Sequence, residues 1–459
     1  MNWLHATVGV LAALLASCAP SAPPSQPRAA AIQLPWARAN EIVARVQPPK
    51  FPDARFSVLD FGAVADGKTD NSDAFARAIA AASHAGGGHV IVPPGKYACG
   101  AIELLSNIDL HLDGATILFS SDSSKYPISI TRYQGIDLMN RSPLIHAVDQ
   151  TNVAITGNGI LDGAATAKWN KDGKGNFNIL QQMARDGVPI AQRLFGADRP
   201  LRTTFIEPYH CTSVLIQGVT IRNSRFWQMH PCLCTNVLVD GVTTQSTTSQ
   251  TDGCDPESCQ DVVIRDCLLG AGDDCIAIKA GRNPDSQRIH RPCSDIVVMD
   301  DRFHGPWGMI TCGSEVTEGI EHVYGYHLST VNNIEDVRHQ TGAYMVLYLK
   351  TNTTRGGFIR DVHLDDITGK FNRDIVLATL AYSGDKPGRA KPDVSDISIS
   401  HINNASAPLV LDMTGLENDP IADFALTDSS FVNVTRPDRV RDVNNLILKN
   451  VTVNGRQAN

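Results

Sequence analysis

Two short acidic stretches carry residue types suited to proton transfer, Thr251-Asp252-Gly253 and Gly272-Asp273-Asp274-Cys275. Asp252 and Asp273 stand 21 residues apart. Breaking a glycosidic bond with inversion needs one carboxylic acid to protonate the leaving oxygen. A second carboxylate activates water on the opposite ring face, at a carboxyl separation of about 6.5–9.5 Å. Clustered carboxylates also push one another's pKa upward, which keeps one protonated near neutral pH. Alone, each stretch is an ordinary turn, since Asp-Gly favours a bend by itself. One repeat apart and set among apolar runs, they point to an acid–base cluster of Asp252, Asp273 and Asp274.

The elements that must position this cluster recur along the chain. Short runs open on a polar residue and continue with alternating Val, Ile or Leu: Asn152-Val153-Ala154-Ile155, Ser213-Val214-Leu215-Ile216, Asn236-Val237-Leu238-Val239 and Asp261-Val262-Val263-Ile264. Asp295, Asp361, Asp396 and Asn445 open later ones. From Ser213 to Asn236 is 23 residues and from Asn236 to Asp261 is 25. A repeat of this period, made of strands and turns, is the mark of a solenoid. A doubly wound sheet would need helical crossovers, and a propeller blade about 40 residues. The reading is all-β: a right-handed parallel β-helix, each coil burying its apolar face on the next. Coils about 4.8 Å apart would bring Asp252 and Asp273 out on one face. Asp273 and Asp274 would point to opposite sides of a regular strand, so a bend near Gly270 and Gly272 is expected to turn both outward.

One helix is expected before the coils, capped by Asp70, with Phe75, Ala78, Ile79 and Ala82 on one face and Gly86-Gly87-Gly88 ending it. Placed there, it would cover the open end of the core. Residues 164–204 interrupt the repeat and are expected to loop over one face, with a helix around Ile179 to Arg185.

The N-terminus reads as an export signal over residues 1–18, a Pro-rich tether over 19–35, and a single catalytic β-helix domain over 36–459. Leu15-Ala16-Ser17-Cys18 resembles a lipobox, which implies acylation of Cys18 and attachment to the outer membrane, or else secretion. The n-region Met1 to Thr7 has no Lys or Arg, unlike such signals. Ten of the 11 cysteines remain after Cys18, many inside apolar runs; Cys254 and Cys259 are the best candidates for a disulfide. A net charge of −8 without a long Lys/Arg run argues against a nucleic-acid partner and suits a polysaccharide or oligosaccharide.

With these motifs in place, the chain resembles glycoside hydrolase family 28, the polygalacturonases and rhamnogalacturonan hydrolases, and especially its bacterial exo-acting members. The likeness spans about residues 36 to 456. It includes Leu59-Asp60-Phe61-Gly62-Ala63-Val64-Ala65-Asp66-Gly67, and Ile221-Arg222-Asn223-Ser224 leading to Trp227 and His230. The family's Asn-Thr-Asp appears as Gln250-Thr251-Asp252, and its Gly-Asp-Asp is intact at Gly272-Asp273-Asp274. The resemblance to the exo-acting members implies inverting hydrolysis of pectic polysaccharides from chain ends, with Asp273 as general acid, Asp252 and Asp274 holding the water, and no metal or cofactor.

Two motifs are altered. Where the family has Gly-His-Gly, this chain has Pro306-Trp307-Gly308, with His304 three residues earlier; where it has Arg-Ile-Lys, this chain has Tyr348-Leu349-Lys350. Tyr cannot imitate the bidentate fork of Arg. Plain polygalacturonate is therefore expected to be a poorer substrate than rhamnose-containing or modified fragments. The candidate substrate-binding residues are His230, Lys279, His304, Trp307, Tyr348 and Lys350, with Arg282 and Arg355 behind them. Trp307 and Tyr348 also keep a non-catalytic carbohydrate-binding or adhesive β-helix in view. A polysaccharide lyase is the rival from another enzyme class. It needs a strong base and often Ca²⁺, which the Asp-Asp pair fits less well.

Overall fold

The polar residue that opens each apolar run sits at a left-handed corner of the backbone. Asn152, Ser213, Asn236, Asp261, Asp295, Asp361, Asp396 and Asn445 have φ between +52° and +60°. Asn and Asp tolerate this conformation best among residues with a Cβ. After each corner the chain runs straight, and inward side chains stack coil upon coil: Val153, Val214, Val237, Val262, Ile296, Val323, Val362, Ile397, Phe424 and Leu446. The computed structural model describes residues 34–164, 172–331, 343–383 and 387–458. The leader, Cys18 and the expected tether up to residue 33 lie outside these residues.

The fold is a right-handed parallel β-helix. A second ladder carries Ile117, Leu161, Ile221, Thr244, Leu269 and Phe303. The third ladder, which bears the site, stacks Ile102, Ile145, Ile206, Met229, Cys254, Ile276, Ile310, Leu347, Val376 and Leu411. Inward residues of the three faces form one core from Val58 to Val451.

Two helices close its surfaces. The expected end cap is present at Ser72–His84 (α2), with Phe75, Ala78, Ile79 and Ala82 buried against the core. Asn71, rather than Asp70, occupies the cap position; Asp70 accepts instead from the Ser72 amide at 3.0 Å and its hydroxyl at 2.6 Å. The glycines beyond the helix are needed there, because a Cβ on Gly88 would lie 2.4 Å from the Ala54 carbonyl oxygen. A second helix, Ala37–Arg45 (α1), was not anticipated from the sequence. Its Ala39 and Ile42 cover the outward middle residues Ala154, Leu215, Leu238, Val263 and Val297. These positions alternate correctly yet face a helix instead of water.

The expected Cys254–Cys259 disulfide is not formed; the ten described cysteines are free and buried. The two thiols belong to different stacks. Cys254 faces inward opposite Ile276 on the third ladder. Cys259 joins a column with Cys211, Cys234 and Cys293, its thiol accepting the Cys234 amide at 3.4 Å. Here cysteine acts as a small core hydrophobe.

Candidate active site

The third ladder brings the acids together with a register one residue different from that expected. The Gly253 amide donates to the Asp274 carbonyl at 3.0 Å, as the Gln228 amide does to that of Asp252 at 2.9 Å. Trp227, Asp252, Asp274 and Gly308 therefore occupy equivalent places in successive coils, and Asp274, not Asp273, is the coil partner of Asp252. Asp273 lies one residue earlier on a bend at the pocket's lip. The bend needs Gly272: a Cβ there would lie 2.1 Å from the Thr248 carbonyl oxygen. One carboxyl oxygen from each of Asp252, Asp273 and Asp274 lies within 4.8 Å of the others.

Each acid has a different environment. Asp274 accepts from Lys350 Nζ and from the Thr311 hydroxyl, both at 2.7 Å, and from the Gly308 amide at 3.2 Å. Three donors hold this carboxylate in place. Asp252 is buried, with Lys279 Nζ 3.7 Å away; burial and then Asp273 push its carboxyl well above the usual range. Asp273 remains partly exposed and accepts the Gln250 amide at 3.2 Å. Burial and then the charge of Asp274 raise its carboxyl as well. Asp252 and Asp273 thus compete for a proton.

Beside the acids stands a cluster of cations: Lys279 and Lys350 share one ladder position, and Arg282 and Arg355 lie in the loops beyond. Lys279 lies 4.3 Å above the Trp227 ring and 3.5 Å from Glu315. Glu315 also meets Arg355 at 3.6 Å and Arg282 at 3.8 Å. Asp252, Asp273, Asp274, Glu315, Lys279, Arg282, Lys350 and Arg355 line one cavity of about 280 Å³. Phe177, from helix Asn176–Arg185 (α3), and Gln134 help to line it. This is the helix expected within the 164–204 interruption, and it brings that loop to the site.

The structure therefore gathers Asp252, Asp273, Asp274, Lys279 and Lys350 in one pocket. Tyr348 packs beneath Lys350, whose Nζ is 4.6 Å from the ring centre, and stacks with Trp307 at 6.3 Å in an adjoining aromatic wall. His230 and His304 do not reach the cavity. His230 is sealed behind Trp227, between Glu207 at 3.2 Å and Glu257 at 3.0 Å. His304 is fully buried, with Nδ1 3.1 Å from the Val331 carbonyl oxygen. Sequence reasoning gave Arg282 and Arg355 little weight and assigned Glu315 no role. The signal for Glu315 was its place in Gly313-Ser314-Glu315; the two arginines lie in non-repeating loops and gave none.

Next to the site, Asp255 is fully buried, and neither carboxyl oxygen has a hydrogen-bond partner among the described residues. Burial, and then the nearby charge of Asp252, raise its carboxyl well above the usual range. The folded state therefore holds a proton that the unfolded chain releases near pH ~4. That contribution to stability is complete below the unfolded value and is lost as pH climbs toward the folded one. Asp255→Asn keeps the shape without a titrating proton. Its melting temperature should decline less than that of the parent chain between pH 4 and 8. Parallel pH profiles from calorimetry would show that Asp255 is ionised in the folded protein.

Comparison with known proteins bears on the family. The profile of glycosyl hydrolases family 28 matches residues 89–446. A probable polygalacturonase of Vitis vinifera is 26% identical over 389 residues, 81% of this chain and 73% of that one. The crystal structure of a hyperthermoactive exopolygalacturonase from Thermotoga maritima superposes with a TM-score of 0.86 at 35% identity, covering 92% of this chain and 96% of that one. A surface adhesin of Streptococcus pneumoniae shares the fold at 17% identity and a TM-score of 0.58, with 87% of this chain and 92% of that one covered. The coil architecture alone thus does not decide between hydrolysis and adhesion. The family match, spanning most of the coils and including both acidic motifs, does: the chain belongs to glycosyl hydrolases family 28.

Proposed function

We propose that this glycoside hydrolase removes sugar units from the ends of pectic, uronate-containing chains by single displacement with inversion. Asp273 protonates the leaving oxygen, while Asp252 and Asp274 hold and activate the attacking water. The observation that carries this reading is the meeting of three carboxylates from adjacent coils with Lys279 and Lys350 in one lined pocket. The carboxyl oxygens lie closer than the usual inverting separation of about 6.5–9.5 Å. We read Asp252 and Asp274 as a water clamp because each is steadied by an ammonium group, which lowers its readiness to attack carbon. The exopolygalacturonase of Thermotoga maritima to which the chain is similar, and the lining of the pocket by Phe177 and Gln134 from outside the ladder, support chain-end action.

A different specificity from the one expected of Tyr348 is part of this proposal. Arg282 and Arg355 bring two guanidinium groups to the cavity from outside the altered motif, and Lys279 and Lys350 add two ammonium groups. Recognition of a uronate carboxylate is therefore retained by other residues, and unmodified oligogalacturonides are accepted substrates.

The test is a time course on end-labelled oligogalacturonides. The expected result is stepwise release of short saccharides from one end, with the first-formed reducing sugar of inverted anomeric configuration by proton NMR. Mid-chain scission would reject chain-end action, and a retained anomer would make a carboxylate the nucleophile. An unsaturated product absorbing in the ultraviolet would mark a lyase.

A further inference from the structure

On the outer surface, away from the acidic pocket, His322, Asp361 and Asp396 occupy the same left-handed corner of three successive coils. His363 follows Asp361 by two residues and faces outward beside it. Its Nδ1 lies 2.6 Å from the Ser398 hydroxyl, and its Nε2 lies 2.6 Å from Asp361 Oδ1. The other oxygen, Asp361 Oδ2, is held by the Tyr324 hydroxyl at 2.8 Å and by His322 Nδ1. A ring nitrogen of His363 and one carboxyl oxygen from each of Asp361 and Asp396 lie within 4.8 Å of one another.

We propose that Asp361, His363 and Asp396 form a binding site for a divalent transition-metal ion. An imidazole with two carboxylates is a donor set that suits Zn²⁺, Co²⁺ or Ni²⁺, and its two negative charges balance the ion. The partners around it already orient the ligands as metal sites require: Ser398 fixes the histidine ring through the nitrogen that does not bind, while His322 and Tyr324 fix Asp361. The parallel ladder fixes the backbone at each ligand. Asp396 is exposed, which gives the ion a path from solvent.

Other corner pairs do not reach this arrangement. His327 with Asp300 and His401 with Asp365 have no third donor within the same distance among the described residues. A second three-donor group, Glu207, His230 and Cys232, is sealed in the interior with both His230 nitrogens engaged by carboxylates. The outer corner has a structural consequence as well. Trp36, which precedes α1, stacks on His363 at 6.1 Å and against Tyr324 at 5.5 Å. A metal that fixes His363 also fixes the ring on which the N-terminal helix rests.

The experiment uses the full chain, stripped with chelator and titrated with Zn²⁺ or Co²⁺ alone at pH 7.5. Calorimetry should show one saturable equivalent, with a higher melting temperature, and Co²⁺ should quench tryptophan emission through Trp36. His363→Ala and Asp396→Asn should each weaken binding at least tenfold. Asp396 is exposed, so its variant keeps the test valid if His363→Ala folds poorly. His327→Ala should bind as the parent does. Turnover of the stripped protein should equal that of the loaded one, which separates this site from the acid–base pocket. Absence of saturable binding by the parent chain, or binding that survives in the folded His363→Ala/Asp396→Asn double variant, overturns the proposal.

Discussion

Asp273→Asn should lower turnover on natural oligosaccharides by about 10²–10⁴, the usual contribution of a general acid. The amide keeps the bend and its hydrogen bond to the Gln250 amide. It removes only the transferable proton. Nitrophenyl glycosides need little help with departure, so their hydrolysis should suffer far less. Asp252→Asn should impair both substrate classes alike, because water must be activated in either case. The pH profile supplies a second sign. Burial and Asp274 raise the Asp273 carboxyl, so the acid stays protonated above the ordinary Asp range. The alkaline limb of kcat/KM reports its loss and should vanish in Asp273→Asn on activated substrates. A folded Asp273→Asn protein with near-parental turnover on a natural oligomer would exclude it as the proton donor.

The coils were legible because their corner residues repeat. A polar residue before Val-x-Val is a local signal, and its cause is equally local: a left-handed φ that Asp and Asn tolerate. Register was harder. The 21-residue interval suggested pairing Asp252 with Asp273, whereas the amide of Gly253 selects Asp274. A one-residue error in coil length changes which carboxyl faces which, and periodicity cannot resolve it. Burial of His230 and His304 was hidden for a related reason. Their positions alternate outward, but neighbouring segments cover them, as Trp227 does His230. The same blindness concealed α1, since Leu238 and Val263 look like solvent-side strand residues until a helix lands on them. The arginines carried little weight because loop residues carry no period. Arg282 follows Lys279 in a connecting segment, and only the fold brings it and Arg355 to Glu315.

That meeting makes Glu315 the residue whose neutralisation should most harm the folded state. It is buried within 3.5–3.8 Å of Lys279, Arg355 and Arg282. Burial favours its protonated form, but the three cations outweigh this and hold its carboxyl well below the usual range. Removing one partner from a buried charge network typically costs about 3–5 kcal/mol, because the remaining charges stay desolvated without compensation. Glu315→Gln is nearly isosteric and should therefore show a loss of this order at pH 7. The sign with pH is opposite to that for Asp255. A depressed folded pKa contributes stability above the unfolded value, near pH ~4.3, and that contribution fades as pH falls toward the folded value. The gap between parent and variant should narrow on acidification. An anionic ligand offers a further check: galacturonate can return a negative charge to Lys279, Arg282 and Arg355, so it should raise the melting temperature of Glu315→Gln more than that of the parent chain. Replacing Arg355 with Met in the Glu315→Gln background should recover part of the lost stability by removing one of the cations that Glu315 meets. If Glu315→Gln melts with the parent at neutral pH, the cations are relieved by solvent, and the pocket is wetter than its burial implies.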